Sequence, residues 1–146
     1  ASYQEIVQWV EENKLKINHW FTVEDLNHLK RGGRVSGAAA FMGTMLNVKP
    51  VLNVNDEGKL VPKAKVRGRA KSLKYLKEQL DERIINPEQQ VIFISHGDAL
   101  ADAEALKEMI LKDHQVKDVF TSYIGPIIGS HSGPGTIALF FLGNGR

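Results

Sequence analysis

Cysteine is absent from the 146 residues, which excludes a disulfide scaffold, thiol catalysis and any Cys-based zinc or iron–sulfur site. An excess of one charge is nearly as scarce. Nineteen Lys and Arg against seventeen Asp and Glu leave +2, too little for a phosphate-binding surface built on charge alone. No uncharged apolar run approaches the roughly 18 residues a membrane span requires. Internal repeats, low-complexity tracts and long linkers are missing too, so one domain over 1–146 is expected. What is present, 42% apolar and 25% charged residues, suits a compact domain with a real core and excludes a disordered chain. Ala1-Ser2-Tyr3 leads straight into an amphipathic segment with Glu5, Glu11 and Glu12. That opening does not read as a signal peptide, and a cytoplasmic location is the expectation.

Apolar periodicity predicts about six strands and five helices. Ile6, Val7, Trp9 and Val10 have mixed helical spacing, and their helix is expected to pack on a neighbour. A strand is predicted over 17–22. Thr22 then caps a helix with Asp25 three places on, striped by Leu26 and Leu29 and stopped by Gly32-Gly33. Ser36 caps a helix over 37–46, whose small residues Ala38, Ala39, Ala40 and Gly43 predict deep burial. Pro50 begins a strand over 51–54, Asn55-Asp56-Glu57-Gly58 turns, and Leu60, Val61, Ala64 and Val66 return as the second arm of a hairpin.

From Gly68 the period changes. Leu73, Leu76, Leu80 and Ile84 form one helical stripe that Pro87 breaks. Val91-Ile92-Phe93-Ile94 is a continuous apolar run, predicting a strand covered on both faces. Asp98 is placed to cap a helix to about His114, with Leu106, Met109 and Ile110 inward. A strand over 119–124, a turn at Gly125-Pro126 into a glycine-rich loop, and a last strand over 136–142 complete the chain. Helices separating several strands imply an α/β domain with a mixed sheet and helices on both faces.

Three segments carry chemistry. In the loop from Gly125 to Gly135, glycines and prolines set an unusual backbone path that presents Ser130, His131 and Ser132. Successive N–H groups there can form an anion-binding concavity beside a titratable imidazole; a rigid connector between two buried strands explains the loop equally well. Lys30-Arg31-Gly32-Gly33-Arg34-Val35-Ser36 leads into a helix N-terminus, where Arg34 can clamp a carboxylate or phosphate, or where a C-cap simply precedes an N-cap. Ser95-His96-Gly97-Asp98 ends a buried strand. His96 and Asp98 could bind a metal with His131, but no fourth ligand is evident, and a structural His96 with a capping Asp98 is the cheaper explanation. Ser130, His131 and Asp98 supply the residue types of a hydrolase triad. A nucleophile elbow is absent, however, and Ser130 directly flanks His131. The basic run Lys63 to Arg69 reads as a strand edge and helix start, with nucleic-acid binding a lesser option.

Taken together, these segments resemble the DegV family of bacterial fatty-acid-binding proteins. The matching residues are Phe21-Thr22-Val23-Glu24-Asp25-Leu26 with Leu29-Lys30-Arg31-Gly32-Gly33-Arg34-Val35-Ser36, then Lys49-Pro50-Val51-Leu52 and Val66-Arg67-Gly68-Arg69. The last is Ile124-Gly125-Pro126-Ile127-Ile128-Gly129-Ser130-His131-Ser132-Gly133-Pro134-Gly135. They occur in the family's order and cover nearly the whole chain.

The resemblance is to the C-terminal of two α/β domains. It implies that the N-terminal domain, whose Ser and Thr residues hold the fatty-acid carboxylate in the family, lies outside this chain. A long-chain fatty acid is the implied ligand, lying between the domains with its tail in an apolar tunnel, and no metal, other cofactor or catalytic residue is implied. His131, Arg34 and Ser130 are the expected head-group or phosphate-binding residues, and Ile127, Ile128, Phe41 and Met42 are tunnel-lining candidates that serve equally as core. The implied partner is the catalytic subunit of a fatty-acid kinase, which would phosphorylate the presented acid for phospholipid synthesis. The other expectations are a small-molecule hydrolase or phosphotransferase using His131, and a non-catalytic regulatory or interaction domain.

Overall fold

The computed structural model describes residues 1–34 and 47–146. Ser36, the expected helix over 37–46 and the tunnel candidates Phe41 and Met42 therefore lie outside the described residues. Six strands, β1 (Ile17–Thr22), β2 (Val48–Val54), β3 (Leu60–Arg67), β4 (Val91–His96), β5 (Asp118–Tyr123) and β6 (Ile137–Leu142), form one sheet in the order β3-β2-β1-β6-β4-β5. Only β4 and β5 run parallel. The helix α4 (Leu100–Asp113) joins them, as a parallel pair requires. The α/β class, the mixed sheet and helices on both of its faces all match the sequence expectation.

One face of the sheet carries the larger core. Leu73, Leu76 and Leu80 of α3 (Arg69–Arg83) and Ala103, Leu106 and Ile110 of α4 are buried against Trp20, Ile92, Ile94 and Leu139. Each of these leucines and isoleucines contributes about 1.5–3 kcal/mol by leaving water. The opposite face is covered by two short helices, α2 (Leu26–Arg31) and α5 (Pro126–Ser132), with Phe21, Val23, Leu26, Leu29 and Leu52 in a second, smaller core.

Four local expectations are corrected. β4 is not covered on both faces: Ile92 and Ile94 are fully buried, while Phe93 between them is 48% exposed. One side of β4 is thus left open at Phe93, and an apolar run becomes an alternating strand. The N-cap of α2 is Asp25, whose side chain accepts from the Asn27 N–H; Thr22 instead stays in β1 and donates to the Pro50 carbonyl. Asp98 does not cap α4. It sits at φ 50°, and the Ala99 N–H is satisfied by Nδ1 of the buried His96. The opening helix α1 (Tyr3–Asn13), held by a Ser2–Glu5 capping box, buries none of its residues, so Ile6, Val7, Trp9 and Val10 stay exposed.

The fifth correction bears on the site. The expected glycine-rich loop is the helix α5. Pro126 occupies its first turn, where a missing N–H costs nothing and a fixed φ favours helix entry. Gly133 ends it at φ 83°.

Candidate functional site

Between α2, α5 and the sheet lies a cleft of about 420 Å³, within the range of small-molecule sites. Phe21, Ala138 and Phe140 supply apolar floor from β1 and β6, and Ile127 and Ile128 of α5 form one side. These two isoleucines are 76% and 63% exposed, so the side they form lies at an open mouth.

Helix periodicity sorts the residues of α5. Ile128, His131 and Ser132 stand at i, i+3 and i+4 and share one face; all three line the cleft. Ser130 falls on another face, is exposed, and donates to the Ile127 carbonyl at 2.8 Å, so it is not among the lining residues. The hydroxyl that faces the cleft belongs to Ser132. It is 4% exposed and its Oγ has no hydrogen-bond partner among the described residues. An unpaired buried hydroxyl costs roughly 1–3 kcal/mol, which a ligand accepting or donating there would recover. Reading 126–132 as a helix opened by Pro126 is the signal that would have selected Ser132 over Ser130.

The segment after α5 is tightly held. The Gly135 N–H donates to the Gly97 carbonyl (2.7 Å) and the Gly97 N–H to the Thr136 carbonyl (2.9 Å). Thr136 Oγ1 donates to the Gly133 carbonyl (2.7 Å), and Arg69, ion-paired to Asp102, donates to the Gly135 carbonyl (2.5 Å). These bonds tie α5 to the carboxyl end of β4, an edge where open α/β sheets collect ligands.

His131 lies over the end of α2. No described residue hydrogen-bonds its ring, and a Cβ added at Gly32 would stand 2.3 Å from its Nδ1. Gly32 itself has φ −77°, a conformation alanine adopts freely, so the clash is purely with the imidazole. Gly32→Ala is therefore expected to leave the melting temperature nearly unchanged while turning His131 away. Altered ring signals for His131 in NMR spectra would report this, and unchanged signals would contradict the packing.

Arg34 also lines the cleft, its Nη1 donating to the Gly32 carbonyl at 2.6 Å. Among the described lining residues it is the one charged group, and no carboxylate faces it. Ser95 and Thr136 add hydroxyls near the same end. At the other end His19, paired in register with Phe140, completes the floor. Burial first, and then the charge of Arg146, hold the His19 pKa below its ordinary value, which favours the neutral ring. Sequence reasoning named Ser95 only within the segment ending β4, and missed His19 and Phe140. These two were legible only as positions of strands whose faces were not yet assigned.

The other constellations are not assembled. Ser130 bonds its own helix, and Asp98 is outside the cleft. Among the described residues no group of three His, Asp or Glu could hold a metal ion, and none of the helices is long and apolar enough to cross a membrane.

A family model described as "Uncharacterised protein, DegV family" matches residues 1–144. The chain belongs to the DegV family. A DegV domain-containing protein of Clostridium perfringens is 56% identical over 143 residues, which are 98% of this chain and 49% of that protein. Among solved structures, a fatty acid binding DegV family protein from Streptococcus agalactiae is 35% identical, with a TM-score of 0.83 over 98% of this chain and 50% of the other. DegV from Bacillus subtilis, described as a fatty acid binding protein, is 34% identical, with a TM-score of 0.76 over 98% of this chain and 50% of its own. The DegV chain thus spans about half the length of the relatives it matches.

Proposed function

We propose that this chain is the C-terminal domain of a cytoplasmic DegV protein that binds a long-chain fatty acid and presents it to a fatty-acid kinase, without catalysing a reaction itself. The carrying observation is the character of the cleft: apolar along most of its length, with one cation and uncommitted polar groups gathered near one end. An alkyl chain needs the first, and an anionic head group needs the second. His131 would hydrogen-bond the carboxylate and Ser132 would complete the head-group end. Arg34 would serve chiefly the phosphorylated product, because a guanidinium pairs bidentately with phosphate. Relatives named for fatty-acid binding support the reading.

The decisive experiment is native mass spectrometry of the full-length natural product after bacterial expression. A co-purified fatty acid, or uptake of added acid, is expected; neither would overturn the proposal. In the same protein His131→Ala should weaken acid binding roughly 5- to 100-fold, as stranding a buried polar partner does. Arg34→Ala should weaken acid binding much less but slow phosphorylation by the kinase, and Arg34→Lys should restore part of that rate. Normal acid binding by His131→Ala together with normal phosphorylation of Arg34→Ala would dismiss these head-group assignments.

A further inference from the structure

We propose that Phe140, with His19 set edge-on against it, is the wall that ends the acyl site and so determines the chain length the protein accepts; this rests on the fatty-acid reading above. The strand register places the wall. Thr22 lies opposite Ile137 at the end where Ser95, Ser132 and Thr136 gather, and His19 lies opposite Phe140 three residues further along. That is about 10 Å deeper along the strands. The two rings meet edge to face, with centroids 5.3 Å apart, and both line the cleft.

Beyond them is a second apolar cleft of about 250 Å³, bordered by Trp9, Ile17, Val91 and Phe93. Phe140 is the one side chain that lines both spaces among the described residues. Its ring therefore stands where a longer alkyl chain would otherwise continue. Phe93, the register partner of Phe140 on β4, carries the apolar surface onward, so the second space offers an acyl tail a mainly apolar path with Gln89 and Gln90 at its border. His19 bears no hydrogen bond from any described residue, and its ring, edge-on to Phe140 and lining the cleft, is free to contact a terminal methyl group. Removing the wall would join the two spaces. Each additional methylene that then finds apolar surroundings should raise affinity roughly four-fold.

The test is competition. The full-length protein is offered an equimolar series of saturated fatty acids and the bound species are read by native mass spectrometry. Phe140→Ala should move the bound distribution to longer chains, and Phe140→Ala with Val91→Trp, which refills the second space, should move it back. Because Phe140 sits in a central strand, its melting curve is checked first. If Phe140→Ala fails to fold, His19→Ala opens the same wall from β1 and should shift the distribution in the same direction. A parent protein that binds acids whose length distribution is unchanged in the folded variants would overturn the wall and leave the fatty-acid reading standing. A parent protein that takes up no acid would overturn that reading and the wall with it.

Discussion

Gly133→Ala should cost about 3 kcal/mol of stability, chiefly because its backbone lies in a region open essentially to glycine, with an overlap against the His28 ring added. Gly133 has φ 83° and ψ 173°, and a Cβ there would lie 2.7 Å from the His28 ring of α2. The same residue ends α5, so relief of the strain would shift His131 and Ser132, the two polar groups the helix delivers to the cleft. Urea unfolding would measure the loss directly, and the folded fraction should also retain fatty acid poorly. A midpoint equal to that of the parent protein would show that the α5–α2 contact is wrong. Gly32→Ala makes a useful contrast, since its clash is with a side-chain tip alone and its stability cost should be small.

Leu106→Ala is expected to destabilise by about 3–5 kcal/mol, the range for a buried leucine in a site that cannot collapse. Leu106 is fully buried in the core that joins α3 and α4 to the sheet. For a domain of this size the melting temperature should fall by roughly 10 °C or more. Fatty-acid binding measured well below the new melting temperature should persist, because the cleft lies on the opposite face of the sheet. A loss below about 1 kcal/mol would mean that α4 packs loosely on the sheet.

The two substitutions probe parts of the molecule that were unequally legible. The Leu73, Leu76 and Leu80 stripe and the hairpin around Asn55 to Gly58 follow from local periodicity and turn residues. A residue's position on a helix or strand decides which neighbours it can share a face with. The boundary of α5 did not follow so simply. Four glycines between Gly125 and Gly135 argue for a loop, yet Pro126 at the first turn and tight packing against α2 override that preference. Ser130 and Ser132 consequently exchanged places as candidate ligands. Likewise, Val91 to Ile94 gave no periodic sign that one side of β4 would be left open, since apolar residues mark a buried strand without saying whether helices reach both of its faces.

The sequence by itself determined the family, the α/β class and the motif that carries His131 and Arg34, because glycine, proline and charge at fixed spacing leave few alternatives for the backbone. Only the tertiary structure decided that Ser132 rather than Ser130 faces the cleft, that His96 accepts from the Ala99 N–H before α4, and that His19 meets Phe140. Those relations depend on which faces are brought together by the β1–β6 pairing and by the docking of α5 on α2. Both join segments far apart in the chain, and no local pattern encodes the register at which they meet.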